Sequence, residues 1–373
     1  MKLLITSGGG GHFSPALAVI EKLPKDIEFL IVGRKYAFEG DNAISWEYQT
    51  AQALGLPFVP LTTARFQRKF TRHTIPSFTK LPRGFFQAVS ILRDFKPDVV
   101  LSFGGYVSVP VVFAAAFLRT PIIIHEQTLE AGVANKIAAR FAKKICTSWQ
   151  SSEDFFPKRK IVLTGNPIRE FPIAKFQFPV SDEDLPLVYI TGGSLGAHVI
   201  NTLVEKSLEK LLNRFRIIHQ TGDAGAYHDF ERLQSLQKSL DERLQKRYEA
   251  VKFVDAKTVG TILQKADLVV SRCGVNTISE LLYFEKPSFL IPLPFAQKNE
   301  QRKNALFLKS IGLAEVFEQK ALDEQIFFSA ICNMIENKKN YKLSAQNKDE
   351  FIHKDAAQNI VKEVLHAAAQ KSK

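Results

Sequence analysis

One arrangement occurs twice in this chain and constrains its fold more than any other feature. Lys2-Leu3-Leu4-Ile5-Thr6-Ser7 runs into Gly8-Gly9-Gly10-Gly11-His12, and Leu187-Val188-Tyr189-Ile190-Thr191 runs into Gly192-Gly193-Ser194-Leu195-Gly196-Ala197. Each string reads as a buried strand, a glycine turn and a helix start, the opening of a Rossmann-like unit. The pattern continues behind each opening. In the first half the apolar runs are Lys2–Thr6, Glu28–Val32, Val99–Ser102, Ile122–His125, Lys144–Thr147 and Lys160–Leu163, with helices expected at Ser14–Leu23, Phe85–Phe95 and Val133–Phe141. In the second they are Leu187–Thr191, Phe215–Gln220, Ala250–Val254, Asp267–Ser271 and Ser288–Pro292. Strands alternating with helices predict an α/β fold with parallel sheets, here two tandem Rossmann-like domains.

At 373 residues the chain suits two domains better than one or three. The rhythm breaks from Phe171 to Pro186, where Pro172, Pro179 and Pro186 flank the acidic run Ser181–Asp184. The expected organisation is residues 1–170, a linker at 171–186, a second domain at 187–336 and C-terminal helices at 337–373. A hydrophobic fraction of 45% with 24% charged residues excludes wholesale disorder. The apolar stretch Val107–Leu118 is too short for a bilayer span, and the N-terminus reads as a strand and not as a signal peptide. Cys146, Cys273 and Cys332 form no CxxC pair, so the chain reads as reduced, without a disulfide framework or a zinc site.

Net charge is +12. Residues 1–170 hold 22 Lys/Arg against 13 Asp/Glu, giving +9, and the remainder holds 28 against 25, giving +3. The excess concentrates in Leu61–Arg93, where Arg65, Arg68, Lys69, Arg72, Lys80, Arg83 and Arg93 meet no acid and Phe66, Phe70, Phe78, Phe85 and Phe86 are interleaved. Such a patch suits anionic lipid head groups or nucleic acid, and it equally suits a solvated face.

Neither glycine cluster is followed by Lys-Ser/Thr, so neither is a Walker A loop. The second strand ends Ile31-Val32-Gly33-Arg34 without the acid of a dinucleotide fingerprint, although Arg34 leaves an NADP enzyme as a minor alternative. Ligands of open α/β sheets bind at the carboxyl edge of the strands, where Ser102–Tyr106 and His125-Glu126-Gln127 both fall. His12 at that edge is a candidate general base and Glu126 its candidate partner; capping for His12 and a fold-internal ion pair for Glu126 are the structural alternatives. In the second half, Ser271–Glu280 reads as strand, glycine turn and helix, with Glu280 a candidate acceptor for two ribose hydroxyls; capping by Asn276 or Thr277 is the structural alternative, which does not explain the whole string. Asp182-x-Asp184 has metal-chelating spacing but sits in the linker, and no metal or cofactor is assigned.

Gly8–His12, Ser102–Ser108 (SFGGYVS), His125–Gln127, Gly165-Asn166-Pro167-Ile168-Arg169, Gly192–Ala197 with Asn201, Arg272–Glu280 and Gln301-x-x-Asn304-Ala305 occur in order at compatible spacing. Together they resemble the MurG family, which adds N-acetylglucosamine to the lipid-linked intermediate lipid I in bacterial peptidoglycan synthesis. The resemblance implies a GT-B glycosyltransferase, two Rossmann-like domains facing each other across a cleft, inverting and without a protein-bound metal. It implies that UDP-GlcNAc lies mainly on the second domain: Val254 at the uracil, Ser194 and Val275, Asn276, Thr277, Ile278 and Ser279 on the phosphate side, Glu280 at the ribose, and Gln301 at the sugar. Gly9, Gly10, Gly11, Thr128 and Arg169 match donor-contacting positions of the first domain. Gly104, Gly105 and Tyr106 match the acceptor side, and His12 and Glu126 match residues near the acceptor hydroxyl. The chain departs from the family in Thr128, where Asn is usual, in Arg272-Cys273-Gly274 for Arg-Ser-Gly, and in a longer segment around Tyr36–Tyr48.

The resulting expectation is transfer of N-acetylglucosamine from UDP-GlcNAc to a polyprenyl-diphosphate-linked muramyl-peptide. The enzyme is expected in the cytoplasm, bound peripherally to anionic lipids of the inner membrane face through Arg65, Phe66, Arg68, Lys69, Phe70 and Arg72. A transferase acting on another glycolipid is the alternative within the class. A basic nucleic-acid-binding protein is the alternative outside it; it leaves the glycine turns and Glu280 unexplained and shows no nucleic-acid module, so no nucleic-acid partner is assigned.

Overall fold

Both glycine turns sit where the strand order of a sheet reverses. The structure, a computed structural model, describes residues 1–36, 43–63, 74–169, 184–193, 195–223, 226–296 and 299–370. The first sheet contains β1 (Lys2–Thr6), β2 (Glu28–Gly33), β3 (Phe58–Pro60), β4 (Val99–Ser102), β5 (Ile122–Glu126), β6 (Lys144–Thr147) and β7 (Ile161–Leu163), ordered β3-β2-β1-β4-β5-β6-β7 and parallel throughout. The second contains β8 (Leu187–Thr191), β9 (Arg216–Gln220), β10 (Tyr248–Val251), β11 (Leu268–Ser271), β12 (Ser288–Leu290) and β13 (Ala314–Val316), ordered β10-β9-β8-β11-β12-β13, again parallel. In each, chain order runs outward in both directions from one central pair, β1 with β4 and β8 with β11. Crossovers leaving to opposite sides open a crevice beyond the carboxyl ends of that pair. Register keeps the ends level, with Thr6 opposite Ser102 and Thr191 opposite Ser271.

Two compact units follow: residues 1–170 with 353–373, and 171–352. In unit 1, Leu3, Ile5, Val99 and Leu101 face one side of the sheet and Leu4 and Val100 the other, the period of two expected of a strand. Helix Gly10–Ile20 covers the first side through Phe13, Ala16 and Leu17. Helices Thr74–Phe95, Ser108–Phe117 and Val133–Ala138 cover the second. The last helix, Ala356–Ala369, belongs to unit 1. It buries Ile360, Val361 and Val364 beside Phe13 and Leu17, and each such side chain contributes roughly 1.5–3 kcal/mol. The C-terminal helices expected as one region at 337–373 are therefore divided between the units. In unit 2, helices His198–Leu212 and Glu324–Glu336 pack over Val188, Ile190, Leu268 and Val270.

Several boundaries differ from the sequence expectation. The first helix starts at Gly10, not Ser14, because Gly9 at φ 103 ends the turn and serves as N-cap. The run expected at Ala250–Val254 pairs only as Tyr248–Val251, and the Val254 N–H instead donates to Gln220 Oε1 at 3.3 Å. β3 and β13 were not anticipated; each is a three-residue edge strand, too short to show a period. Among the described residues, no helix is long and apolar enough to cross a membrane.

Candidate active site

In unit 1 the polar side chains gather beyond β1, β4 and β5. Two glycines let the turns after β1 and β4 touch: a Cβ on Gly8 would lie 2.8 Å from the Gly105 Cα, and one on Gly105 2.6 Å from the Gly8 Cα. That apposition puts the Phe103 carbonyl 2.8 Å from His12 Nδ1, on the first turn of helix Gly10–Ile20. A carbonyl only accepts, so Nδ1 carries the proton and Nε2 is the basic lone pair. Among the described residues nothing hydrogen-bonds to Nε2. Burial lowers the His12 pKa below its ordinary value, against the opposing Glu126 charge and the Phe103 bond, so the ring is neutral at pH 7.

Glu126, the last residue of β5, is buried and fully engaged. Oε1 accepts from the Thr128 N–H at 3.0 Å and the Thr128 hydroxyl at 2.6 Å. Oε2 accepts from the Gly132 N–H at 2.9 Å and Asn135 Nδ2 at 3.0 Å. The carboxylate thus organises the turn that leads into helix Val133–Ala138. Gln127 Nε2 donates to Gly11 O at 3.1 Å and stands 3.0 Å from His12 Nδ1. Next to Gly9, Arg34 is paired with Glu47, Nε to Oε1 at 2.5 Å, and also engages Tyr106. His125 is fully buried, with Nε2 3.1 Å from Ser148 Oγ; burial pushes its pKa down to about 3, and it stays a neutral packing group. Arg169 Nη2 lies 2.7 Å from Glu21 Oε1.

In unit 2 a cavity of about 120 Å³ opens beyond β8, β9 and β11, lined by Tyr189, Thr191, Gly193, Gln220, Thr277 and Glu280 among others. Gln220 ties its floor together, accepting from the Tyr189 hydroxyl at 3.0 Å and donating to Gly193 O at 3.1 Å. Glu280 enters from helix Val275–Tyr283, and its carboxylate accepts no hydrogen bond from the described residues. Burial pushes its pKa up to about 7. A desolvated carboxylate without donors is poised for hydroxyls a ligand would bring. Gly274 is the N-cap of the same helix, whose N-terminus carries the partial positive charge of its aligned peptide dipoles.

Residues 3–147 match the model of the glycosyltransferase family 28 N-terminal domain and residues 187–360 that of the family 28 C-terminal domain. A Ruminiclostridium cellulolyticum protein named UDP-N-acetylglucosamine--N-acetylmuramyl-(pentapeptide) pyrophosphoryl-undecaprenol N-acetylglucosamine transferase is 33% identical, over 98% of this chain and 100% of its own. A Clostridium botulinum protein of the same name is 32% identical over 91% of this chain and 93% of its own. The chain belongs to the MurG family of glycosyltransferases. The crystal structure of Acinetobacter baumannii MurG is similar throughout, with a TM-score of 0.72 at 25% identity, covering 98% of this chain and 100% of that one. The GT-B fold expected from the sequence is thereby shown.

The family's motif residues divide between the two sites. His12, Glu126, Thr128, Gly104, Gly105 and Tyr106 gather in unit 1 with Gly9, Gly10 and Gly11; Thr277 and Glu280 line the cavity of unit 2, and Val275, Asn276, Ile278 and Ser279 share their helix. Thr128, standing where the family has Asn, turns its hydroxyl to Glu126 and the Glu130 carbonyl. Gln301 Oε1 accepts from the Cys273 N–H at 3.3 Å and the Leu293 N–H at 2.9 Å, tying together the chain beyond β11 and β12. Ser194 and the patch residues Arg65, Phe66, Arg68, Lys69, Phe70 and Arg72 lie outside the described residues. Sequence reasoning missed Asn135, Glu47, Tyr189, Thr191 and Gln220. The last two are polar final residues of buried strands, a signal that was available.

Proposed function

We propose that this chain moves N-acetylglucosamine from UDP-N-acetylglucosamine to the 4-hydroxyl of a polyprenyl-diphosphate-linked muramyl-pentapeptide. The acceptor oxygen attacks the sugar C1 as the bond to the diphosphate breaks; UDP leaves, the hydroxyl proton passes to His12 Nε2, and the linkage inverts to β. The observation that carries this chemistry is the His12 Nδ1–H bond to Phe103 O, which leaves Nε2 as the free lone pair. Glu126, bound through both oxygens to Thr128, Gly132 and Asn135, holds the turn beside the base. Unit 2 supplies the nucleotide-sugar site. Glu280 accepts the ribose hydroxyls, and the positive end of helix Val275–Tyr283 faces the diphosphate, where it stabilises the growing charge. Ser194, Val254, Gln301 and Arg169 belong to the same reading as donor contacts, with Arg169 exchanging its Glu21 partner for the ligand.

The reading includes a membrane contact on unit 1. Helices Thr74–Phe95, Ser108–Phe117 and Val133–Ala138 leave apolar side chains in solvent, among them Phe86 at 68% exposure, Phe117 at 66%, Phe113 and Ile137, and Phe141 is exposed just beyond the last of them. Phe113 and Phe141 pair at 5.3 Å, and exposed Arg83, Arg119, Lys136, Arg140 and Lys143 stand on the same elements and their ends. Apolar rings fringed by cations fit an anionic bilayer surface, where a polyprenyl acceptor resides. Arg83 and Phe86 of this face belong to the basic Leu61–Arg93 segment to which the sequence points.

A donor and acceptor panel tests the function. UDP release and a product heavier by one N-acetylhexosamine are expected only with UDP-N-acetylglucosamine and the muramyl-pentapeptide lipid, or its short-chain analogue. Preference for another glycolipid would overturn the acceptor assignment.

A further inference from the structure

We infer that Gln127, anchored by Trp149, is a positioning residue that holds the His12 imidazole in its base-competent orientation. The inference rests on the reading of His12 as the base. Gln127 follows β5, two strands away from β1 in the sheet, and its side chain spans that gap to reach the turn after β1. Its backbone is fixed at the start of that reach, since the buried Trp149 indole N–H donates to Gln127 O at 2.8 Å. At the far end Nε2 donates to Gly11 O at 3.1 Å and abuts His12 Nδ1 at 3.0 Å.

The amide orientation follows from its partners. Turned over, the amide would set its oxygen against the Gly11 carbonyl, acceptor against acceptor. The nitrogen therefore faces His12. With Nδ1–H committed to Phe103 O, the Gln127 contact joins two donors; it is a steric stop and not a hydrogen bond. The ring is held between a carbonyl that selects Nδ1–H and an amide that blocks rotation away from it. The amide hydrogens also oppose an added positive charge on the ring. The other charged groups acting on His12 are Glu126 from β5, Glu47 from helix Trp46–Ala53 and Arg34 beyond β2; His125, also on β5, is neutral.

Steady-state kinetics of Gln127→Ala, Gln127→Glu and Trp149→Phe across pH test this. Gln127→Ala is expected to lower kcat about tenfold while the KM for UDP-N-acetylglucosamine stays within twofold, the pattern of a lost transition-state contact. Gln127→Glu puts a carboxylate beside Nδ1–H, so the acidic limb of kcat should move up by about one pH unit or more, with kcat recovering above it. Trp149→Phe keeps the ring, removes the indole N–H, and should lower kcat in the same sense by a smaller factor. In a His12→Ala background, Gln127→Ala should cost nothing further. An unmoved acidic limb in Gln127→Glu, or an equal loss in the His12→Ala background, overturns the positioning role and leaves the base reading standing. Near-normal kcat in His12→Ala alone overturns the base reading itself. Should Gln127→Ala not fold, the limb shift in Gln127→Glu decides.

Discussion

The turns after β1 and after β8 begin from nearly the same string and end as different machines. Each is pinned at a sheet's switch point by a close backbone approach: Gly8 against Gly105 in unit 1, Gly196 against Gly222 in unit 2. In unit 1 the helix behind the turn brings an imidazole into its first turn, and the neighbouring carbonyl selects its tautomer. In unit 2 the ionisable group comes from another helix, and among the described residues the turn supplies backbone and Thr191 to a cavity. The shared part is the strand, the glycine and the oriented N–H groups. The divergent part, one side chain placed by packing at each site, is what separates the proposed base from the proposed ribose acceptor.

Removing the base should separate the two sites most strongly. His12→Ala is expected to lower kcat by roughly 10²–10⁴-fold; a loss below tenfold would move proton transfer elsewhere. Next in size, Glu280→Gln should weaken UDP-N-acetylglucosamine binding by about ten- to a hundredfold while kcat at saturation falls less, because a charged hydrogen bond is worth ~1.5–3 kcal/mol. Calorimetry measures the first quantity and saturation kinetics the second.

The same carboxylate gives a pH signature confined to unit 2. Its pKa is raised from the ordinary 4.5 to about 7, and hydroxyl donors prefer the ionised form. Donor affinity should therefore fall by up to about tenfold per pH unit below that value, and binding near pH 6.5 should release protons. For the free protein the sign is opposite. The fold retains this proton above the unfolded-state pKa, so stability from this group declines as pH rises between the two values. Affinity independent of pH from 5.5 to 8 would remove Glu280 from the ribose.

Smaller effects probe the turns and the surface. Gly193 has φ +80 and open space around a built Cβ, so Gly193→Ala should cost about 1–2 kcal/mol of backbone strain. Gly196, at φ +75, would place its Cβ 2.0 Å from Thr221 O, so Gly196→Ala should lower the denaturation midpoint further and disorder the cavity. Equal midpoints would mean the turn relaxes. On unit 1, changing Lys136, Arg140 and Lys143 to Gln should weaken flotation with anionic vesicles at low salt by ~1 kcal/mol per charge near the surface. Phe86→Ser with Phe117→Ser should remove the salt-resistant remainder. Unchanged flotation would return the face to solvent.

Much of this was legible in the sequence, for identifiable reasons. Central strands are uniformly apolar, so β1, β4, β8 and β11 could be bounded nearly to the residue; the three-residue edge strands β3 and β13 carry no period and were not anticipated. The glycine strings located both sites because a close backbone approach tolerates no side chain. Partners were not legible. Glu126 and His12 look alike as ionisable residues at strand ends. Only the fold shows that one carboxylate is bound by Thr128, Gly132 and Asn135 while no described residue hydrogen-bonds to the Nε2 lone pair. Contacts joining residues about a hundred positions apart, such as Gln127 with Gly11, leave no local trace. The return of helix Ala356–Ala369 to unit 1 is hidden for the same reason, since an amphipathic helix does not name the sheet it covers.

The division of labour between the units is tested most directly by titrating UDP-N-acetylglucosamine into His12→Ala by calorimetry. If unit 1 supplies the base and unit 2 holds the donor, the variant binds with the parent's Kd, within about twofold, while transferring almost nothing. A loss of donor affinity comparable to that of Glu280→Gln would contradict the account, because His12 would then belong to the donor site and the base would have to be sought elsewhere.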